Sequence, residues 1–376
     1  MNASASAALP SSELLRGIVL DDSRDLPLHA QLRGSLQRLI LECFEDDHRF
    51  YSETQLVQHL GVSQGTVRRA LADLASQGLL EKRPARGTLV RKASQAVKLK
   101  NLAVFLPDYS SPNVARILTV LNTDCLQRGV NLQPLYTHRG EQLSRAYEQL
   151  KFRPQEGAVI LLSNSPGATT ELFGALQDKS YDCVTIDTQL PDLAQNFVGV
   201  CNRTGNEIGM NHLRSLGHRR IALLVNEPEE QENVRERIRC FEEYCAKHPE
   251  LEPSIWHGGI HLWENAGAVE KVMDQIWSSP NRPTAIFAMS EIGALGAIRW
   301  FQGRGVDVPG DVSVLGFDGG PLGTLVHPSL TTITQPFEEI AKTSIKLLMG
   351  ERTVKPRQIF LAPQLTLRES TAAPKS

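Results

Sequence analysis

Between residues 28 and 90 the spacing of apolar positions changes several times. Leu28, Leu32, Leu36, Leu39, Ile40 and Phe44 recur at helical spacing, which predicts an amphipathic helix. Ser52, with Gln55 three residues on, is a capping-box pattern that opens a second helix, and Gly61 breaks it. Ser63 can cap a third helix, and Gly78 can end it. In that helix Val67, Ala70, Leu71 and Leu74 make a stripe for a small core. Gln64 and Arg68 lie four apart on another face, beside Gly65 and Arg69. Leu79-Leu80 and Thr88-Leu89-Val90 then flank Arg83-Pro84-Ala85-Arg86-Gly87, a hairpin with two arginines near its tip. A helix that buries one stripe and offers amide and guanidinium groups on another suits the major groove of DNA. The hairpin is a wing able to reach phosphates or the minor groove.

The pattern changes after residue 100. Apolar runs of strand length at 102–107, 157–163, 181–187, 197–201, 220–226, 285–290 and 312–318 alternate with amphipathic helices. Such alternation predicts βαβ units and parallel sheets covered on both faces. About 270 residues exceed one comfortable doubly wound sheet, so two lobes are expected. The fold class is therefore α/β: an N-terminal winged helix-turn-helix domain, then a two-lobed, Rossmann-like domain. The expected divisions are a flexible Ala/Ser-rich start (1–24), the winged helix (25–92), a polar, basic linker (93–100) and the two-lobed domain (101–370). Its first lobe takes about 101–200 and 335–360, and its second about 201–334 and 361–370.

Charge sharpens the DNA reading. The 376 residues carry a net charge of −2, which argues against an all-over basic coat. Residues 63–100, however, hold nine Lys and Arg against two acids, whereas residues 1–62 hold five Arg against nine acids. One local basic block on a neutral body is the footprint of a DNA-reading face. The six cysteines are scattered with no CxxC pair, as expected of reduced, mostly buried thiols in a cytosolic protein. The first residues lack a basic start and a long apolar run, and no stretch is long enough to span a bilayer; a cytoplasmic location is expected.

In open α/β sheets ligands bind beyond the carboxyl ends of the strands. Those ends offer Asp108-Tyr109-Ser110, Ser163-Asn164, Asp187-Thr188, Asn226, Ser290-Glu291 and Asp318, with Trp263 past a possible short strand at 255–259. Small hydrogen-bonding groups and one aromatic plate describe a pocket for a small polyhydroxylated ligand. Each Asp, Ser or Asn can equally cap the helix that follows it. There is no Gly-x-x-x-x-Gly-Lys-Ser/Thr phosphate loop and no Gly-x-Ser-x-Gly elbow. His257 and His261 have metal-compatible spacing but no further ligand nearby. No metal, cofactor or catalysis is expected.

Two resemblances cover nearly the whole chain. Residues 26–92 resemble the winged helix-turn-helix of the GntR family through LPLHAQL (26–32), YSETQLVQHLGVSQGTVRRALADL (51–74) and GLLEKRPARGTLV (78–90). Residues 101–370 resemble the effector-binding domain of the LacI/GalR family, which has the periplasmic-binding-protein-like (type I) fold. The carrying segments are LAVFLPDYSSPNVARIL (102–118), LRSLGHRRIALL (213–224), PTAIFAMSEIGALGAI (283–298), GVDVPGDVSVLGFD (305–318) and PSLTTITQP (328–336). The pairing resembles that of the arabinose repressors.

The first resemblance implies DNA contacts from Gln64, Gly65, Thr66 and Arg68, and from wing residues near Arg86 and Gly87. Ser52, Thr54, Ser63, Arg69 and Arg83 complete the expected interface. The family usually has Pro-Ser-Glu-Arg where this chain has Tyr51-Ser52-Glu53-Thr54, so one expected arginine is missing. The second implies an effector site. Arg237, in an Arg-x-x-Cys240-Phe241 version of Arg-x-x-Gly-Phe, would supply a guanidinium, and Asp318 an acid. Trp263 would stack, and Asp187 would be a polar cleft residue. Tyr109, Ser110, Asn113 and Ser290 are expected beside them.

These readings together imply a ligand-responsive transcription regulator, a repressor of carbohydrate genes, that binds a palindromic operator as a homodimer. An activator built from the same parts, a sugar-binding transport or chemoreceptor protein, and an α/β enzyme are the alternatives.

Overall fold

The computed structural model describes residues 10–21, 27–76, 78–84, 86–91, 99–107, 111–136, 143–162, 166–190, 193–258, 266–350 and 356–375. The N-terminal unit holds α1 (Leu28–Cys43), α2 (Glu53–Leu60), α3 (Gln64–Ser76), β1 (Leu80–Arg83) and β2 (Gly87–Val90). Ser52 and Gln55 close the capping box that opens α2. Gly61 ends it at φ 66, in the left-handed region that glycine enters without a Cβ penalty. Leu32, Leu36, Ile40, Leu56, Val67, Ala70 and Leu74 meet in one core. β1 and β2 pair antiparallel from Leu80↔Val90 to Arg83↔Gly87, which makes the wing.

Part of the segment read as flexible belongs to this core. Ser12–Leu15 form a 3-10 turn capped by Ser11. Leu15 is buried with the helices, and the Tyr51 hydroxyl donates to the Ser11 carbonyl at 2.5 Å. The small apolar face of α1 and α2 needs this extra cover; Ala/Ser composition concealed it. The linker expected at 93–100 lies outside the described residues up to 98, and Leu99 is already packed in the next core.

The second unit has two six-stranded sheets. The first runs β13-β7-β6-β5-β3-β4, with β3 (Asn101–Leu106), β4 (Asn131–Tyr136), β5 (Gly157–Leu162), β6 (Asp182–Ile186), β7 (Asn196–Val200) and β13 (Gln358–Leu361), all parallel. The second runs β14-β12-β11-β10-β8-β9, with β8 (Arg220–Val225), β9 (Glu252–His257), β10 (Ala285–Ala288), β11 (Ser313–Asp318), β12 (Thr331–Thr334) and β14 (Gln364–Thr366). Only the β12–β14 pair is antiparallel. Central strands such as β5 and β11 are buried along their whole length because helices cover both faces. The helices include α4 (Pro112–Arg128), α5 (Pro166–Asp178), α6 (Asn202–Ser215), α7 (Glu232–Ala246), α8 (Ala266–Ser278), α9 (Glu291–Gln302) and α10 (Phe337–Met349).

The chain crosses between the two lobes three times: from β7 into α6, from β12 into α10, and from β13 into β14. These crossings form the hinge. Beyond β14 the chain is pinned to the second lobe by His218, whose ring nitrogens meet Thr284 Oγ1 at 2.9 Å and the Ala372 carbonyl at 2.8 Å. Among the described residues no helix is long and apolar enough to cross a membrane.

Leu15→Ala is expected to cost about 2–5 kcal/mol, the range for deleting a buried leucine side chain. Chemical denaturation of the full chain, followed through the DNA-binding unit, checks it; an unchanged midpoint would show that the N-terminal turn is dispensable.

Candidate nucleic-acid interface and ligand cleft

α3 exposes Gln64, Gly65, Arg68 and Arg69 to solvent while Val67, Ala70 and Leu74 are buried beneath it. Thr54 is exposed at the start of α2, alongside the wing. The side chains expected on DNA divide into two kinds. Ser52 caps α2, and Ser63 Oγ accepts from Thr66 N at 3.1 Å while lying 2.9 Å from Thr66 Oγ1. Ser52, Ser63 and Thr66 thus serve the helix starts first. The basic groups are already engaged with acids. Arg68 Nε donates to Glu53 Oε2 at 3.4 Å, and Lys82 Nζ to Glu53 Oε1 at 3.0 Å. Arg83 pairs with Glu81 at 2.9 Å and Arg86 with Asp47 at 3.3 Å. Gly87 turns the wing at φ 79. Arg69 faces away toward α1, close enough to His29 to help depress that imidazole's pKa after the larger effect of burial.

Exposed pairs of this kind stabilise little and are screened by salt, so phosphates can replace the carboxylates. Glu53 and Lys82, not picked out from the sequence, sit where α2, α3 and the wing converge. The clue was the capping-box helix start, which puts residue 53 beside the recognition helix.

The ligand cleft opens where both sheets end. It encloses about 700 Å³ of empty space, counting its mouth. The space open to a solvent-sized molecule is only about 70 Å³, below the roughly 300–1,000 Å³ of small-ligand sites, so the lobes must part to admit a sugar-sized ligand. One wall is apolar: Val114, Ile117, Leu162, Ile186, Phe337 and Ile340. The other is polar and draws on strand ends and helix starts: Asp187 after β6, Glu227 after β8, Asn233 and Arg237 from α7, Asp318 at the end of β11, and Gln335 in a hinge crossing. Asn113 lies at the rim on α4.

Arg237 is 4% exposed. Its Nε donates to Asn202 Oδ1 and its Nη1 to the Met289 carbonyl, both at 2.8 Å, and its guanidinium lies 4.0 Å from the Phe317 ring centre. Asn202 in turn donates to Glu236 at 2.7 Å. Asp318 accepts from Gln335 Nε2 at 2.8 Å and from Glu291 N at 3.3 Å. Asp187 accepts from Asn233 Nδ2 at 3.1 Å, a bond that spans the two lobes. Burial pushes the Asp187 carboxyl up to about 6; Arg237 opposes this and Asp318 adds to it. Burial also carries Glu227 above neutrality, against Arg237 and with Asp318 and Asp187.

The structure therefore brings together Asn113, Asp187, Arg237 and Asp318 of the expected effector set. Ser290 is a correction: it is fully buried, caps α9 by accepting from Gly293 N at 3.2 Å, takes a hydrogen bond from Asn226, and does not line the cleft. A strand-end serine one residue before a helix satisfies the helix start first. Tyr109, Ser110 and Trp263 lie outside the described residues. Glu227, Asn233 and Gln335 were missed. Glu227 follows the strand-end Asn226 and was within reach of the same rule, whereas Gln335 needed the hinge topology.

Arg68→Ala is expected to weaken operator binding by about 1–3 kcal/mol if it makes a bidentate base contact, and to blur sequence preference. A gel-shift titration against specific and scrambled duplexes checks both; equal loss on the two duplexes would make Arg68 a phosphate contact only.

Residues 31–90 match the bacterial regulatory proteins of the gntR family, and residues 210–371 match the periplasmic binding protein-like domain. The HTH-type transcriptional regulator DegA of Bacillus subtilis is 26% identical over 278 residues, 72% of this chain and 80% of the relative. The arabinose metabolism transcriptional repressor of Geobacillus stearothermophilus is 24% identical over 363 residues, 93% of this chain and 98% of the relative. A dimeric Lac repressor structure superposes with a TM-score of 0.64 at 22% identity, over 73% of this chain and all of that one (100%). Its likeness carries the fold of the two-lobed part. The chain thus joins a gntR-family DNA-binding domain to a periplasmic-binding-protein-like domain and is a transcription regulator of that two-part type.

Proposed function

We propose that the protein is a repressor of carbohydrate-metabolism genes whose operator affinity is set by a small polyhydroxylated effector between the two lobes. The observation that carries this is the cleft itself: one apolar wall, one wall of hydrogen-bonding groups, and the Asp187–Asn233 bond joining the lobes across it. A ligand that replaces this bond with its own contacts changes the relative stability of open and closed lobes. That shifts a population only as far as its affinities for the two states differ. The arabinose repressor, similar over nearly the full length, supports a sugar-sized effector and repression.

In this reading Thr54, Gln64, Gly65 and Arg68 face bases, while Lys82, Arg83, Arg86 and the backbone at Gly87 hold phosphates. Asn113, Asp187, Arg237 and Asp318 hold the effector. The chain acts as a homodimer on a two-fold operator, in the cytoplasm with the chromosome, and has no catalytic role. The divisions are a DNA-binding unit whose core runs from Leu15 to Val90 and an effector unit that begins by Leu99 and runs to about residue 370, joined through the segment between them. Arg33 Nη1 of α1 donates to Ser180 Oγ of the first lobe at 2.9 Å, a direct contact by which lobe movement reaches the DNA-binding unit.

Asp318→Ala is expected to abolish the ligand-induced rise in melting temperature across a monosaccharide panel while operator binding without ligand stays within about twofold. Thermal shift and gel shift on the same preparation check this. Wild-type ligand stabilisation in the variant would remove Asp318 from the effector site.

A further inference from the structure

Charge in the cleft is unevenly distributed. Among the described residues that line it there are three carboxylates, Asp187, Glu227 and Asp318, and one cation, Arg237. Arg237 spends two of its five donors on Asn202 and Met289 and its face on Phe317, and its single positive charge faces three carboxylates. Arg116 donates to the Gly319 carbonyl at 3.3 Å, stands 4.7 Å over the Phe337 ring and does not line the cleft. More acid lies behind the wall: Glu236 holds Asn202, and Glu291 accepts from Gly323 N at 3.0 Å beneath Asp318. Asp318 has a donor on each oxygen, and Asp187 has one on Oδ2. Glu227 has no hydrogen-bond or ion-pair partner among the described residues.

A half-buried carboxylate without a donor is costly, and its like-charged neighbours add to the cost. We infer that the effector supplies the missing positive charge: it is an amine-bearing polyol whose ammonium sits between Glu227 and Asp187. This rests on the reading of the cleft as an effector site. An ammonium brings three donors and no acceptor, which matches the open oxygens of Glu227 and Asp187 Oδ1. A sugar acid or sugar phosphate would add negative charge to a site already rich in it. A neutral hydroxyl could satisfy one oxygen and leave the charge surplus in place. In the empty cleft the surplus is relieved by a proton on Glu227, consistent with burial and the neighbouring acids raising that group above neutrality. The sign of the linkage follows. At pH 6.5 Glu227 is protonated in the empty protein and ionised beside an ammonium. Binding of the cation therefore releases a proton, and binding of a neutral polyol releases none.

Calorimetry on the full-length protein at pH 6.5, in two buffers of different ionisation enthalpy, tests this with two matched triplets: glucose, glucosamine and glucuronate, and galactose, galactosamine and galacturonate. The expected result is that an amino sugar binds at least about tenfold tighter than its neutral parent. It releases up to one proton, and the sugar acid does not bind. Glu227→Gln should remove the amino sugar's advantage and its proton release together. A neutral sugar or sugar acid binding best, or amino-sugar binding with no proton release, overturns the inference and leaves the effector-site reading intact. Binding by no member of either triplet counts against the polyol cleft itself, and the inference falls with it.

Discussion

Arg237 reaches into the junction of the second lobe almost out of contact with water. A buried guanidinium is tolerated only where its donors and its charge are both answered. Here the answers come from the start of α6, from the residue after β10, from the aromatic face at the end of β11, and from acids on both lobes. Those elements approach one another in sequence-distant order, so the guanidinium acts as a common point that sets their spacing. The aspartates that share its neighbourhood, Asp187 and Asp318, both adopt left-handed backbone conformations, at φ 61 and 88. Such conformations are uncommon outside glycine and persist where the surroundings over-determine them. Both fall at strand ends, where the chain must turn away from the sheet to leave the cleft open.

The same acids tie the cleft to the hinge. Gln335 occupies the crossing from β12 to α10, and it donates to Asp318 through its side chain at 2.8 Å and its backbone at 3.2 Å. The other two crossings are joined to each other, since Cys201 N donates to the Leu361 carbonyl at 2.8 Å. A ligand group that bonds Asp318 therefore competes directly with a residue whose position depends on the relative orientation of the lobes. The Asp187–Asn233 bond gives a second such competition on the other side of the cleft. Two competitions, one on each lobe, make lobe closure and ligand occupancy mutually dependent without a longer chain of contacts.

Much of this was legible in the sequence because it follows from local rules. The seven apolar runs became central strands, and the Ser52–Gln55 capping box and the Gly87 turn formed where their residue types required. What was not legible lies at edges and crossings. β4 carries Pro134 and was unreadable as a strand; it lies at the sheet edge, where a missing amide proton is tolerated. β12, β13 and β14 are short and rich in Thr and Gln, and only pairing with distant strands defines them. The cleft was found from its strand ends, so Asp187 and Asp318 were visible. Ser290 was misplaced because a cap and a ligand contact have the same residue type at the same kind of position. Glu227, one residue past a strand end already singled out, was within reach of the same rule, whereas Gln335 acquires meaning only from the hinge crossing.

The charge pattern of the DNA-binding unit shows the same limit. In sequence, an acidic stretch up to residue 62 precedes a basic block, as if the two were separate. In the fold they are interleaved: Asp47 and Glu53 from the acidic part hold Arg86, Arg91, Arg68 and Lys82 from the basic part. The surplus is thus largely cancelled locally in the absence of DNA. These carboxylates hold Arg68, Lys82 and Arg86 in place at solvent-exposed positions, where each pair stabilises weakly. A phosphate that displaces a carboxylate gains a cation already positioned near the groove, and it leaves an acid that must be accommodated. The acid therefore lowers non-specific affinity for any duplex. In the proposed function Gln64 and Arg68 reach base edges in one register, and so regain that loss on the right sequence alone. On this argument the acids near the recognition helix contribute to discrimination as much as the basic residues contribute to affinity.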